Sequence, residues 1–347
     1  MTSANPLRVA VIGAGAFGRN HLRVYKELEL AGEPVRLVAV VDPSSAVAAD
    51  AAANFDVPAF ASIAECLAGV DGLDAASVCV PTVHHRAAAE ELIAAGVDVL
   101  IEKPLAPSLE DADSILALAA KHQRIVQVGH LERFNPAVTA ARQYLNQPMF
   151  FESHRLSVFT PRSLDVDVVL DLMIHDLDIV LSLVGSPVTE VRAVGLPVLS
   201  PKVDIANVRV EFETGCVANF TASRVSTERV RKLRFFQPHQ YLSIDFARQD
   251  LLMIDVTAAA GMDPAKLAAM AAMLQASGGH PSAGLSLSKV PVEQGEPLLL
   301  EIVSFLDAVR KRSVPVVSGE DGRAALKLAL EINAAIHSHA ERAGLTI

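Results

Sequence analysis

No tryptophan occurs among the 347 residues, aromatic residues make up 5%, and there are only three cysteines. Cys66, Cys79 and Cys216 are odd in number and far apart, which excludes both a disulfide framework and a CxxC metal site. They read as small apolar residues. Long hydrophobic runs are also missing, since none reaches the roughly 18 residues that span a bilayer. The stretch 166–184 comes nearest, and acids and a histidine interrupt it. After Arg8 the apolar run stops within four residues at Gly13, too short for the core of a signal peptide. A cytoplasmic protein without membrane partners is therefore expected. Positive charge is scarce too: 30 Lys and Arg stand against 40 Asp and Glu, and a formal charge of −10 argues against a nucleic-acid partner. What the chain does have is hydrophobic residue, 51% of it, in a length that suits two domains.

The first organised segment runs Arg8-Val9-Ala10-Val11-Ile12-Gly13-Ala14-Gly15-Ala16-Phe17-Gly18 and leads into Asn20–Leu30, where Leu22, Tyr25 and Leu28 keep helical spacing. A β-branched strand entering GxGxxG and then a helix is the context that a dinucleotide fingerprint needs. Gly13 makes the tight turn, Gly15 lets the backbone approach a pyrophosphate, and Gly18 lets helix and strand pack closely. Ala16 and Phe17 complete the loop at the helix start, whose N–H groups bind phosphate. The second strand, Val35–Val41, ends in Asp42 and Pro43, with Asp42 at about the distance where an acid takes the adenosine ribose hydroxyls. No Lys or Arg occurs from Leu37 to His85, so nothing in that stretch would neutralise a 2′-phosphate. NAD is expected rather than NADP.

Strands and helices continue to alternate through Ala75–Val80, Val97–Ile101 and Ile125–Gly129, which predicts a doubly wound parallel sheet, a Rossmann domain over 1–129. Its carboxyl edge collects Gly13, Asp42, Val80-Pro81-Thr82, Glu102-Lys103 and Gly129-His130, with His85 just beyond. Lys103, just past a buried strand, is thereby placed where open α/β sheets bind ligands.

From residue 130 an α+β domain is expected, with a large, open, mostly antiparallel sheet that serves as a subunit contact in a homo-oligomer, a dimer or tetramer. A helix over Val168–Leu183 would put Asp171, His175 and Asp178 on one face, with Asp176 pointing elsewhere. Three readings of His175 stay open: a general base oriented by Asp171, a structural histidine in a cluster of helix-terminal acids, or a metal ligand. No HxxxH or HExxH pattern supports metal, and none is expected. The stretch 258–289, rich in Ala, Gly and Ser, reads as a lid, an oligomer arm or a surface insertion.

Together these pieces resemble the glucose-fructose oxidoreductase / inositol dehydrogenase (Gfo/Idh/MocA) family along nearly the whole chain: Gly13–Gly18, Asp42, Pro81-Thr82-Val83-His84-His85, Glu102-Lys103-Pro104 and Asp171–Asp178. The resemblance implies an NAD-dependent oxidoreductase acting on a sugar hydroxyl, with Lys103, Asp171 and His175 catalytic and Glu102 at the nicotinamide ribose. Lys103-Pro104 is expected as a cis peptide that aims the lysine. A finer likeness, in Gly129-His130-Leu131-Glu132-Arg133-Phe134-Asn135-Pro136, is to members that oxidise the 3-hydroxyl of UDP-N-acetylglucosamine. On that reading His130, Arg133, Asn135, Arg155 and Arg162, with His154, would face the substrate. A dehydrogenase of a free inositol or monosaccharide, and a non-catalytic NAD-sensing regulator, are the alternatives.

Overall fold

The structure, a computed structural model, describes residues 5–159, 166–256, 263–276 and 286–345. These form two compact units, Met1–Phe134 with Glu296–Lys327, and Asn135–Gly295 with Leu328–Ile347.

In the first unit the chain runs β1 (Leu7–Ile12), α1 (Ala16–Leu30), β2 (Val35–Val41), α2 (Ser45–Phe55), β3 (Ala59–Phe60), α3 (Ile63–Gly69), β4 (Ala75–Val78), α4 (His85–Ala94), β5 (Asp98–Glu102), α5 (Leu109–His122) and β6 (Val126–Gly129). All six strands pair in parallel, in the order β3-β2-β1-β4-β5-β6. Both faces are covered, so β4 and β5 are buried at every position and carry no polar alternation, with the apolar run Val99-Leu100-Ile101 at the centre of β5. The order reverses between β1 and β4, and a crevice at such a switch point is where open α/β sheets take their ligands. Local caps fix the helices: the Ser62 and Ser108 hydroxyls accept the N–H of Glu65 and Asp111 at the starts of α3 and α5.

The second unit contains α6 (Pro136–Ala141), β7 (Phe150–Val158), a π-helical turn (Val169–Met173) that leads into α7 (Ile174–Val184), β8 (Val188–Leu196), β9 (Ile205–Phe212), β10 (Val217–Ser226), β11 (Val230–Gln237), β12 (Gln240–Asp245), β13 (Asp250–Asp255), α8 (Pro264–Ala276) and β14 (Ser286–Val290). Its eight strands lie in the order β14-β13-β12-β11-β7-β10-β9-β8, antiparallel except for β7 and β10. Period-2 alternation separates the faces: Phe151, Ser153 and Arg155 are buried, while Phe150, Glu152 and His154 on the opposite face are only partly covered. Phe151 stacks on Phe235 of β11 at 5.3 Å in the core. Of the stretch 258–289, α8 and β14 are described, and 257–262 and 277–285 lie outside the described residues.

The chain then returns to the first unit with α9 (Pro297–Lys311), and α10 (Gly319–Ala343) follows. This differs from the single boundary expected after residue 129. The cause is the apolar stripe of α9: Leu298, Ile302, Phe305, Leu306 and Val309 join one buried cluster with Leu22, Tyr25 and Leu28 of α1 and Val35 and Leu37 of β2. No helix among the described residues is long and apolar enough to cross a membrane.

Candidate active site

The glycine loop is built around two close approaches. Gly13 has φ +93°, which L side chains rarely adopt, and a Cβ there would lie 2.8 Å from the Cys79 carbonyl. A Cβ on Gly18 would stand 1.9 Å from the Gly13 carbonyl oxygen. Gly15 is the opposite case, with nothing within 4 Å of its Cβ position. Gly15, Ala16 and Phe17 are exposed, and α1 opens without a side-chain cap or an acid in its first turn. Its leading N–H groups thus face open space, the arrangement that binds a phosphate anion.

Asp42 is held beside this loop. Its Oδ2 accepts the Ala14 N–H at 2.9 Å and its Oδ1 the Ser44 N–H at 2.9 Å. Two amides thus orient a half-buried carboxylate at the end of β2, suited to accept from a ribose diol and opposed to a phosphate there. Arg19 of α1 has its guanidinium 2.6 Å from Asp50 of α2. Pro43 is exposed next to Asp42.

At the end of β5, Glu102 is almost enclosed, Lys103 is half-buried, and the Lys103-Pro104 peptide is cis. A Cβ on the neighbouring Gly129 would lie 2.8 Å from Glu102 Oε1, so only glycine leaves the carboxylate its place. Val80, Pro81 and Thr82 border the same edge. His85, expected to touch the cofactor, is committed elsewhere. It is buried, and its two ring nitrogens lie 2.9 Å from the carbonyl oxygens of Val80 and Pro104. It ties the turn after Lys103 to the end of β4.

Burial pushes the His85 pKa below its ordinary value of 6.5, against the smaller opposing pull of those carbonyls. The folded protein therefore holds that proton less tightly than the unfolded chain. Stability from this group is fully present above the ordinary value and is lost as pH falls through the window below it. The melting temperature is expected to drop more between about pH 7 and pH 5 in the wild type than in His85→Asn, measured by scanning calorimetry. Equal slopes would remove His85 from the explanation.

In the second unit, the stretch around His175 resolves into separate roles. Asp167 caps the π turn, accepting the N–H groups of Val169 and Leu170 at 2.9 Å and the Asn333 amide at 3.0 Å. Asp176 takes both arms of Arg155, at 2.8 Å each, with the pair almost wholly buried and the guanidinium 5.2 Å from the Phe246 ring. Asp178 is enclosed, and Asp165 and Arg162 lie outside the described residues. Asp171 and His175 are half-buried. The uniform helix expected over Val168–Leu183 is instead π-helical across Asp171 and α-helical from Ile174, so the common face with Asp178 does not carry through unchanged. Such wide turns are frequent at functional sites.

The residues expected to face substrate divide further. Arg155 is spent on Asp176. Asn135 caps α6 through the Ala137 N–H at 3.2 Å and donates to the Phe246 carbonyl at 3.1 Å, which makes it a structural residue. His154 faces the other side of the sheet from Arg155 and hence from α7. His130 and Arg133 are buried in the first unit, with Arg133 Nη2 4.0 Å from Asp321. Among the described residues no group of His, Cys, Asp and Glu could hold a metal ion.

Two family models match the chain. "Oxidoreductase family, NAD-binding Rossmann fold" covers residues 7–130, and "GFO/IDH/MocA C-terminal domain" covers 124–237. A UDP-N-acetylglucosamine 3-dehydrogenase of Acidithiobacillus ferrooxidans is 35% identical, over 97% of this chain and 99% of its own. The chain belongs to the Gfo/Idh/MocA family.

Among solved structures of relatives, one of the Acidithiobacillus ferrooxidans enzyme superimposes with a TM-score of 0.84 at 33% identity, covering 96% of this chain and 99% of the other. An inositol 2-dehydrogenase of Leifsonia xyli is 31% identical over 55% of this chain and 58% of its own. As a Gfo/Idh/MocA protein the chain is an NAD-dependent oxidoreductase. Its own residues fit that cofactor: the tight turn at Gly13, the open space over Gly15, the uncapped start of α1 and the oriented Asp42 make a cradle for a dinucleotide. Sequence reasoning passed over one group, His21, whose only signal was its spacing of four from Tyr25 on the buried face of α1.

Proposed function

We propose that this chain oxidises the 3-hydroxyl of UDP-N-acetylglucosamine to a 3-keto sugar nucleotide. The observation that carries the reading is the 35% identity to a dehydrogenase of that substrate, sustained across 97% of this chain. When bound, NAD supplies the acceptor for the hydrogen and electron pair that leave the sugar carbon. His175 takes the hydroxyl proton, Asp171 orients the imidazole, and Lys103 donates to the same oxygen as negative charge develops on it. Glu102 accepts from the hydroxyls of the nicotinamide ribose. Arg162 supplies positive charge for the diphosphate.

The enzyme works in the cytoplasm, where Cys66, Cys79 and Cys216, all free thiols, stay reduced. It works as a homo-oligomer through the sheet of the second unit, a reading supported by the exposure of Val158, Val194, Leu196 and Phe236 on its strands. A second reading, oxidation of a free inositol, is favoured by the inositol 2-dehydrogenase likeness over about half the chain.

One assay separates the two. Purified protein is mixed with NAD and either UDP-N-acetylglucosamine, free N-acetylglucosamine or myo-inositol, and NADH absorbance is followed. Turnover with the sugar nucleotide alone is expected. Turnover with inositol alone would overturn the reading, as would turnover of the free sugar at equal kcat/KM.

A further inference from the structure

Beneath the cofactor edge of the first unit lies a buried chain of side chains of which the chemistry above uses only the last, Glu102. Tyr25 Oη lies 2.8 Å from Ser77 Oγ, Ser77 Oγ 3.1 Å from His21 Nδ1, and His21 Nε2 2.9 Å from Glu102 Oε1. Tyr25, Ser77 and His21 are fully buried and Glu102 is 9% exposed.

The direction of the protons follows from the partners. Burial raises the Tyr25 pKa, so its hydroxyl stays protonated, and Ser77 is its one hydrogen-bond partner among the described residues. Tyr25 must therefore donate to Ser77, or bury an unmade donor. Ser77 has no acceptor other than His21 among the described residues, so it donates to Nδ1. An Nδ1 that accepts leaves the ring proton on Nε2, and that proton points at Glu102. Every donor is then satisfied by a neutral histidine and an ionised glutamate. The Glu102 carboxylate is held from one side by this N–H and from the other by the bare Gly129 backbone, where a Cβ would lie within 3.0 Å of either oxygen.

We propose that His21 is a positioning residue of the cofactor site, which fixes the Glu102 carboxylate for the nicotinamide ribose through a one-way chain from Tyr25 and Ser77. The proposal rests on the reading that Glu102 meets that ribose. It gives the histidine three residues past the last glycine a task distinct from phosphate binding.

The test is a double-mutant cycle read as the Kd of NADH by fluorescence titration, with the KM for NAD and kcat alongside. His21→Gln can place its amide nitrogen near Nε2 and His21→Asn near Nδ1. Loss of a hydrogen bond to a charged group is worth about tenfold or more in affinity. His21→Asn is therefore expected to weaken NADH about tenfold, and His21→Gln to restore most of the affinity. Ser77→Ala, which touches neither cofactor nor Glu102, should weaken it in the same direction. In a Glu102→Ala background none of the three should have a further effect. Equal behaviour of His21→Asn and His21→Gln, or effects that persist without Glu102, overturns the positioning role. Unchanged NADH affinity in Glu102→Ala itself overturns the ribose reading instead. Melting temperatures of all variants identify any that lose affinity through unfolding, and Ser77→Ala then decides in place of the His21 variants.

Discussion

His175→Ala lowers kcat by about 10²- to 10⁴-fold while the Kd for NADH stays at its wild-type value. That range is what a positioned general base contributes, and it is the largest kinetic effect expected in this chain. The structure makes the variant informative. His175 stands in the first turn of α7, whose neighbouring Asp176 is anchored by Arg155 and whose preceding turn is capped by Asp167. Removing a half-buried imidazole from so fixed a segment changes the chemistry with little change in fold. Lys103→Ala is expected to cost about 10²- to 10³-fold, the size of a lost donor to a developing oxyanion. Steady-state kinetics with the sugar nucleotide and NADH titration of the same preparations check both. Full turnover in either variant would refute its catalytic role, and lost NADH binding in His175→Ala would move that residue to the cofactor.

Arg155→Ala destabilises the second unit by about 3–5 kcal/mol. The guanidinium and the Asp176 carboxylate are bidentate, and their side chains are 3% and 2% exposed. Truncating one partner leaves the other as an uncompensated buried charge, and the stacking of Arg155 over Phe246 is lost with it. Replacing both by apolar residues of similar volume, as in Arg155→Met with Asp176→Leu, should recover most of the loss. Urea unfolding followed by circular dichroism measures the difference. An arginine that served the substrate diphosphate would behave otherwise, raising KM with stability intact. A loss below about 1 kcal/mol would therefore return Arg155 to the substrate.

The parallel sheet and the cofactor loop were legible in the sequence because their determinants are local. β1, β4 and β5 are short, mostly apolar runs closed by turn residues, and Gly18 sits near in sequence to the Gly13 backbone it must approach. The second sheet was legible as a run of alternating strands up to β13, whereas β14 lay in the Ala-, Gly- and Ser-rich stretch read as an insertion. The partners of single side chains were not. His21 meets Glu102 across 81 positions and Ser77 across 56, and no periodicity encodes such a pairing. Five aspartates between 165 and 178 look alike in a sequence. Only the fold separates the cap Asp167 from the ion-paired Asp176 and the half-buried Asp171. Arg155 and Asn135 were misplaced for the same reason, since charge and polarity suggested a ligand where the fold supplies Asp176 and a helix terminus. The return of α9 was hidden because an amphipathic stripe declares that it is covered without declaring by what.

That return bears on how the protein is made. The cofactor unit is discontinuous, and the whole of Asn135–Gly295 is synthesised between its sheet and α9. While the chain is still growing, the apolar face formed by Leu22, Tyr25 and Leu28 has no lid of its own, a state prone to wrong association. A ribosome must synthesise all of Asn135–Gly295, His175 included, before the unit that carries the glycine loop can close its core. A nascent chain stalled before α9 would thus have every residue of the dinucleotide fingerprint and an unfinished domain to hold them.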